Sequence, residues 1–270
     1  MTQHFDVNPR LIGELASIAS RAGAAILAVG THLKQREKAD QSPVTAADDA
    51  AEAVILEGLH RLLPGVPVVS EESFPRLAPA ALGSLFLLVD PLDGTRELIA
   101  GEAEYAVNLA IVDQGLPIAG VIAAPALGAV WTGALGVGAE RLRLEPGAPA
   151  ASARERTAIR TRARPGRGAV ALVSRFHREA ATDAYLDRYA GIERVVVGAA
   201  IKFCRLAEGT ADLYVRTNSI SEWDVAAGHA LVVAAGGAMT GLDGAPLAYG
   251  RAGFRVLPFI ASGDATAPLA

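Results

Sequence analysis

Apolar residues at helical spacing dominate the beginning of the chain. Asn8 and Pro9 are typical of a helix start, and the apolar positions that follow every three or four residues predict a first helix that reaches Val29. Thr45, with Asp48 three residues later, is an acidic variant of the capping box and predicts the start of a second helix. Two helices are therefore expected before the first strands.

Short apolar runs separated by turn residues predict a first sheet. The predicted strands cover residues 67–70, 85–89, 105–112, 117–123 and 129–132. The sequence Asp113-Gln114-Gly115 between two of these runs predicts a hairpin. Helices combined with an antiparallel meander are typical of an α+β fold.

The rest of the chain alternates between strands and helices. Strands are predicted at 169–174, 195–197 and 213–215, and helices at 178–189, 200–208 and 225–235. This alternation favours an α/β layer. Residues 133–168 are rich in Gly, Pro, Ala and Arg without a clear period, so we place the division of one domain, residues 1–270, near residue 140. The predicted halves are an α+β half, residues 1–140, and an α/β half, residues 141–270.

Composition narrows the class of protein. A chain of 270 residues with 51% hydrophobic residues can bury a large core, and its net charge of −4 argues against nucleic-acid binding. Cys204 is the only cysteine, which excludes an internal disulfide and a cysteine-based zinc site. The first residues do not resemble a signal peptide, and no run approaches the roughly 18 apolar residues of a membrane span. We expect a cytoplasmic protein without a membrane span.

Two acids follow the apolar run 85–89. Pro91 has no N–H for a sheet ladder and favours an extended backbone at Asp90, so pairing is predicted to stop there. Asp90 and Asp93 are three positions apart. Phosphatases that use an aspartyl nucleophile place their two acids two positions apart, so an aspartyl-phosphate mechanism is disfavoured.

Gly94 and Thr95 come directly after these acids. Glycine allows another group to approach closely, and Thr95 is predicted to cap a helix over residues 96–100. Carboxylates beside a helix N-terminus form a site for hard cations and a phosphate. The alternative is an ordinary turn followed by a capped helix, because Asp, Pro and Gly are common turn residues.

Other acids also stand at the ends of predicted elements. Glu71 and Glu72 follow a predicted strand, and Asp224 precedes a predicted helix. Each alone is compatible with a solvated loop or a helix cap. Four of these acids, Glu71, Asp90, Asp93 and Asp224, form an oxygen-only set of ligands that suits Mg²⁺.

Three motifs carry a resemblance to a known family. Ser70–Glu72, Asp90–Thr95 and Trp223–Gly228 resemble, in order and spacing, the inositol monophosphatase superfamily of metal-dependent phosphatases. A finer resemblance, to the CysQ branch of 3′(2′),5′-bisphosphate nucleotidases, rests on four further segments: Lys38–Asp48, Lys202–Cys204, Ala207–Gly209 and Ala226–Ala230. The resemblance implies a layered α-β-α-β-α sandwich with the site between its halves.

The resemblance also implies a ligand set for metal ions. One Mg²⁺ would be held by Glu71, Asp90 and the backbone carbonyl of Leu92. A second would be held by Asp90, Asp93 and Asp224, and a third ion is left open. Inhibition by lithium is expected on the same basis.

The implied catalytic residues surround this metal site. Thr95, with Asp48 behind its hydroxyl, would orient and help to deprotonate a metal-bound water, and Glu71 would assist. The amides of Gly94 and Thr95 would hold the phosphate. For Asp48, a simple role as a helix cap remains an alternative.

Further positions would contact the substrate. The implied contacts are Leu92, Asp93, Gly94, Thr95 and Asp224 around the scissile phosphate, and Ser174, His177, Lys202 and Arg216 on the rest of the molecule. We expect Lys202 to bind a second phosphate and not to be a snorkelling surface residue. The alternative for His177 is an ordinary histidine at a helix start, and the alternative for Arg216 is a solvated residue at a strand end. The chain departs from the nucleotidases at Ala199-Ala200, which replace hydroxyl residues, and at Phe176, which replaces a serine.

The resulting hypothesis is a Mg²⁺-dependent phosphomonoesterase that converts 3′-phosphoadenosine 5′-phosphate to AMP and phosphate. Such an enzyme clears a by-product of sulfate assimilation. The alternative enzyme is an inositol or sugar monophosphatase with the same metal site. A catalytically silent regulator is the rival of another class, and it would lack a ligand or Thr95. The sequence leaves a monomer and a dimer open.

Overall fold

The computed structural model describes residues 5–30, 36–37, 43–74 and 82–266. Lys38 and Asp40, which belong to one of the resemblance motifs, lie outside the described residues. The helices in this part of the chain are α1 Pro9–Val29, α2 Ala46–Leu62, α3 Thr95–Ile99, α4 Ala180–Leu186, α5 Ile201–Ala207 and α6 Ala226–Ala234.

The first two helices begin as predicted. The Asn8 side chain accepts a hydrogen bond from the amide of Leu11 at the start of α1. At the start of α2, Thr45 and Asp48 form the reciprocal capping box. Local side-chain chemistry therefore determines both helix starts.

A seven-stranded sheet forms most of the N-terminal half. In spatial order its strands are β3 Val68–Ser70, β4 Leu85–Asp93, β5 Ala106–Asp113, β6 Leu116–Ala124, β7 Ala129–Ala134, β8 Gly138–Arg143 and β9 Glu155–Ala158. β3 is parallel to β4, and all the later neighbours are antiparallel. The predicted hairpin is present between β5 and β6, where Gln114 and Gly115 both have positive φ.

This sheet extends further along the chain than expected. β8 and β9 both pair into it, so the division between the two sheets lies after Ala158 and not near residue 140. All four residues of β9 are exposed. An exposed edge strand has no apolar periodicity, so no strand was predictable there from the sequence.

A five-stranded mixed sheet forms the C-terminal half. Its order is β11 Glu193–Val196, β10 Val170–Val173, β12 Leu213–Arg216, β16 Phe259–Ser262 and β14 Ala238–Gly241. The α/β alternation predicted between residues 169 and 235 is present, whereas β14 and β16 were not predicted. Two small two-stranded pairs complete the described strands: β1 Arg36–Glu37 with β2 Pro43–Val44, and β13 Ile220–Ser221 with β15 Arg255–Val256.

The elements stack in five layers. α1 and α2 cover one face of the seven-stranded sheet, and α5 and α6 lie between this sheet and the five-stranded one. α4 packs on the outer face of the second sheet. The expected α-β-α-β-α sandwich is therefore confirmed.

α6 lies unusually close to the first sheet. A Cβ atom placed on Gly120 of β6 would lie 2.2 Å from the carbonyl oxygen of Ala227 on α6. Only glycine fits at this contact. Since Asp224 immediately precedes α6, this contact sets how closely that acid approaches the first half.

By its length and its mean hydropathy of 1.4, α1 could cross a membrane. This finding differs from the expectation that no segment approaches the length of a membrane span. In the fold, the apolar residues of α1 pack against protein. Leu15, Ile18 and Ile26 are buried in the core that α1 shares with α2 and the seven-stranded sheet. Burial of this kind is typical of a core helix.

Candidate active site

A bulge at the end of β4 places the first acids. Asp90 pairs with Asn108 and Asp93 pairs with Ala106, and the register shifts between them. The prediction that pairing stops at Asp90 was therefore wrong, because the strand absorbs Pro91 in this bulge and continues. The Asp90 carboxylate accepts a hydrogen bond from the amide of Leu92 at 3.0 Å, which fixes the carboxylate inside the bulge.

The turn after β4 leads directly into α3. Gly94 has a φ of 94° and occupies the cap position of α3, while Thr95 is the first helical residue. The prediction that Thr95 caps the helix was wrong, because its hydroxyl bonds elsewhere. It lies 3.3 Å from an Asp48 carboxylate oxygen and 3.3 Å from the carbonyl oxygen of Leu92.

Asp48 both caps α2 and contacts the Thr95 hydroxyl, the two alternatives that the sequence left open. Its Oδ2 accepts hydrogen bonds from the amide and the hydroxyl of Thr45, each at 2.8 Å. Its Oδ1 accepts the hydroxyl of Thr95. One carboxylate therefore caps α2 with one oxygen and holds Thr95 with the other. With only 2% of its surface exposed, Asp48 is well shielded from competing water.

Three carboxylates converge from distant parts of the chain. Oxygens of Glu71, Asp90 and Asp224 all lie within 4.8 Å of one another. Glu71 follows the end of β3, and Asp224 lies in a single 3₁₀ turn that precedes α6. The cluster therefore joins the end of β3 and the bulge of β4 to the turn before a helix from the other half.

The electrostatics of this cluster favour a bound cation. Burial, followed by the charges of Glu71, Asp93 and Asp224, raises the pKa of Asp90 well above its usual value. Burial and neighbouring carboxylates likewise raise the pKa of Asp224 well above its usual value. A divalent cation between these oxygens would relieve both the desolvation and the repulsion. The donor set is all oxygen, so it fits Mg²⁺.

Asp93 lies beside this group of three. Burial raises the pKa of its carboxyl group, and the charge of Lys202 and a hydrogen bond from Asn108 oppose that shift. The Asn108 amide nitrogen donates to Asp93 at 3.3 Å. Asp93 is therefore positioned by protein groups on one side while it faces the cavity on the other.

The predicted site residues share one cavity of about 320 Å³. Residues from both halves line it. The predicted ones are Glu71, Asp90, Leu92, Asp93, Gly94, Thr95, Ser174, His177, Lys202, Arg216 and Asp224. Asp48 does not line the cavity and lies behind Thr95, as the resemblance implies. Residues so distant in the sequence come together because the cavity lies between the layers.

Lys202 is a buried cation and not a snorkelling surface residue, since only 5% of it is exposed. Its ammonium group donates to the carbonyl oxygens of Val197 at 3.3 Å and Ala199 at 2.6 Å. It also lies 5.3 Å from the centre of the Tyr214 ring. Its charge faces Asp93 as well as the cavity.

Arg216 and His177 line the same cavity near Lys202. Arg216 lies at the end of β12, and one of its guanidinium nitrogens is 3.7 Å from a carboxylate oxygen of Glu179. Partial burial, followed by the charges of Arg216, Arg96 and Lys202, lowers the pKa of His177. His177 is therefore a neutral hydrogen-bonding group at neutral pH, surrounded by cations.

The turn before α5 contains a departure noted in the sequence. Ala199 has a φ of 48°, a left-handed conformation that is uncommon for a residue with a side chain. Glu104 fixes this turn from the other half of the molecule. Its carboxylate accepts the amide of Gly198 at 2.8 Å and the guanidinium of Arg175 at 2.6 Å.

Several residues of the site were not predicted from the sequence. Arg96, Tyr214, Ser219 and Arg255 line the cavity, and Glu104 supports it from behind. Arg96 could have been found from its position directly after Thr95. Arg255 could not, because it lies on β15, which had no strand signal.

Comparison with known proteins agrees with this geometry. The model of the inositol monophosphatase family matches residues 10–262. The 3′(2′),5′-bisphosphate nucleotidase CysQ of Escherichia coli K12 is 37% identical over 244 residues, which cover 88% of this chain and 94% of that protein. CysQ of Salmonella typhimurium is 38% identical over 244 residues, with the same 88% and 94% coverage.

Solved structures share the fold. CysQ from Bacteroides thetaiotaomicron has a TM-score of 0.79 and 31% identity, covering 94% of this chain and 96% of its own. An IMPase from Thermotoga maritima has a TM-score of 0.76 at 22% identity, covering 96% of this chain and 93% of its own, which is a likeness of fold. With its motifs, its layered fold and a family match over nearly its whole length, the chain belongs to the inositol monophosphatase family.

Proposed function

We propose that this protein is a Mg²⁺-dependent 3′(2′),5′-bisphosphate nucleotidase that hydrolyses 3′-phosphoadenosine 5′-phosphate to AMP and phosphate. The observation that carries the proposal is the carboxylate cluster of Glu71, Asp90 and Asp224 in a cavity that also contains cationic side chains. The similarity to CysQ proteins over most of the chain supports the choice of substrate.

The acids of the cavity would hold the metal ions. Glu71, Asp90 and the Leu92 carbonyl form one proposed ligand set, and Asp90, Asp93 and Asp224 form the other. Bound Mg²⁺ would supply a Lewis acid to the phosphoryl oxygens and neutralise charge that develops on the leaving group. The carboxylates alone would repel the phosphate, and bound Mg²⁺ would offset that repulsion.

Thr95 and Asp48 would handle the proton of the attacking water. While the Thr95 hydroxyl donates to Asp48, its oxygen lone pairs can accept a hydrogen bond from the water and orient it toward phosphorus. Asp48 is the acceptor at the end of this chain, and Glu71 assists from the cavity side. The amides of Gly94 and Thr95 at the start of α3 would hold the phosphate oxygens.

The rest of the cavity would bind the nucleotide. Ser174, His177, Lys202 and Arg216 are the proposed contacts beyond the scissile phosphate. Lys202 and Arg216 add positive charge that a bisphosphate needs and a neutral sugar ring does not. The Ala199-Ala200 pair offers no hydroxyl group, which favours contact through charge over contact through side-chain hydroxyls.

Some further properties follow from the same proposal. We place the enzyme in the cytoplasm, where it would remove a by-product of sulfate assimilation. Two Mg²⁺ ions and inhibition by lithium are proposed from the family resemblance. The Asp93→Asn variant tests the second ion, because full activity of that variant would contradict a two-metal site.

The substrate is tested by phosphate release. We would compare 3′-phosphoadenosine 5′-phosphate, inositol 1-phosphate and fructose 1,6-bisphosphate, each with Mg²⁺ and with EDTA. The proposal predicts the highest kcat/KM for the nucleotide and no release in EDTA. A preference for inositol 1-phosphate, or a flat profile, would instead support a broader monophosphatase. No release from any of the three would support a regulator.

A further inference from the structure

Three cations act on His177 in the cavity. Arg96, Lys202 and Arg216 each lower the pKa of its ring, in addition to the effect of burial. The three cations and the imidazole line the same cavity as the carboxylate cluster. If the substrate carries a second phosphate, this group is where positive charge is available for it.

Two of these cations are already held by protein groups. The Lys202 ammonium donates to two backbone carbonyl oxygens and faces Asp93. The Arg216 guanidinium faces Glu179 at 3.7 Å and is only 15% exposed. Both line the cavity and contribute charge, but both are largely buried and each already faces a protein oxygen.

Arg96 is different. It is exposed, lines the cavity and lies on α3 directly after Thr95. Among the described residues it has neither a hydrogen bond nor an ion pair through its guanidinium. All of its N–H donors are therefore available in the fork geometry that matches two phosphate oxygens.

We propose that Arg96 is the specificity-determining residue that contacts the second phosphate of the substrate, the one that is not cleaved. This inference rests on the proposed function and deepens it. For 3′-phosphoadenosine 5′-phosphate, the phosphate bound by Arg96 is the 5′-phosphate. Lys202 and Arg216 remain contacts on that side of the cavity, and Arg96 adds a forked contact to the same phosphate.

The test compares two substrates that differ only in that phosphate. We would measure kcat and KM for 3′-phosphoadenosine 5′-phosphate and for adenosine 3′-monophosphate, with wild type, Arg96→Ala and Arg96→Lys. On the bisphosphate, Arg96→Ala should lose about tenfold to hundredfold in kcat/KM, mainly through KM. On the monophosphate it should change kcat/KM by less than about threefold, because no partner for Arg96 is present. Arg96→Lys should recover part of the loss.

A matched control separates this effect from the loss of any surface charge. Arg21 is an exposed arginine on α1 that does not line the cavity, and Arg21→Ala should behave as wild type on both substrates. Equal losses on the two substrates for Arg96→Ala, or no loss on the bisphosphate, would overturn this inference and leave the proposed function intact. A wild-type protein without activity on the bisphosphate would overturn both.

Discussion

The hydroxyl oxygen of Thr95 lies 3.3 Å from Oδ1 of Asp48, and this contact joins the start of α3 to the start of α2. The other oxygen of Asp48 is occupied by the cap of α2. Because the capping box fixes the carboxylate, Thr95 has a proton acceptor at a set position. The helix start and the proposed catalytic contact are therefore parts of one hydrogen-bonded unit.

Removal of the Thr95 hydroxyl should slow the reaction without unfolding the protein. Thr95→Ala is expected to lower kcat by about 10² to 10⁴, the usual contribution of a positioned proton-transfer group. Thr95→Ser keeps the hydroxyl and should retain most of the activity, which makes it the matched control. Steady-state kinetics with thermal unfolding of each variant is the measurement. An alanine variant as active as the serine variant would remove Thr95 from the mechanism.

Neutralising one carboxylate of the cluster should stabilise the metal-free protein. Burial and three neighbouring acids raise the pKa of Asp90, which shows that its charge is unfavourable without a cation. In EDTA at neutral pH, we therefore expect Asp90→Asn to have a higher Tm than wild type. Addition of Mg²⁺ should raise the Tm of wild type more than that of the variant. Differential scanning fluorimetry with and without Mg²⁺ measures both effects. Equal Mg²⁺-induced shifts in the two proteins would argue against Asp90 as a ligand.

His229 predicts a dependence of stability on pH. It is buried on α6, its Nδ1 lies 2.9 Å from the Tyr249 hydroxyl, and burial lowers its pKa from 6.5 to about 4. A lowered folded-state pKa means that the unfolded chain binds the proton first. The stability that His229 contributes is therefore complete above its pKa in the unfolded chain, 6.5, and is lost as the pH falls toward its pKa in the folded protein, about 4. The total loss in the free energy of unfolding is about 3 kcal/mol.

The comparison with His229→Gln isolates this contribution. The variant cannot be protonated, so its free energy of unfolding should fall less steeply than that of wild type between about pH 6.5 and about pH 4. Urea unfolding at several pH values gives both curves. Parallel curves would mean that His229 titrates alike in the folded and unfolded chain.

Glu104 should affect substrate binding although it is outside the cavity. Its carboxylate holds the Gly198 amide and Arg175, and Ala199, the next residue, accepts the Lys202 ammonium. Glu104→Ala is expected to cost about 1–3 kcal/mol of stability and to raise KM for the nucleotide more than it lowers kcat. Glu104→Gln keeps an acceptor oxygen and should give a smaller change in KM. An alanine variant with an unchanged KM would show that the turn holds its shape without Glu104.

The close approach of α6 to the first sheet can be tested with glycine substitutions. Gly120→Ala would place a methyl group 2.2 Å from the Ala227 carbonyl oxygen, so we expect a loss of about 1–3 kcal/mol and weaker Mg²⁺-dependent activity. A Cβ atom added to Gly13 on α1 would meet no atom within 4 Å, so Gly13→Ala should stabilise the helix by up to about 1 kcal/mol. Thermal unfolding of both variants is the measurement. A harmless Gly120→Ala would contradict the close contact.

Much of this molecule was predictable where local chemistry determines structure. Residues near one another in the chain determine the caps at Asn8 and Thr45, the hairpin after Asp113 and the position of the acids at the end of β4. The exposed strand β9 was not predictable, since it buries no apolar face. Local sequence alone misassigned Thr95 as a cap, and its contact with Asp48 on a different helix was expected only from the family resemblance. Contacts of this kind depend on packing between layers, which spacing in the sequence does not report.

Phosphate release from 3′-phosphoadenosine 5′-phosphate, followed while Mg²⁺ is titrated into metal-free protein, tests the carboxylate cluster most directly. We expect no release in EDTA, a saturable rise in rate with Mg²⁺, and at least about a hundredfold lower rate for Asp90→Asn at saturating Mg²⁺. Release that persists in EDTA, or a wild-type rate for Asp90→Asn, would contradict a metal-dependent nucleotidase built on this cluster.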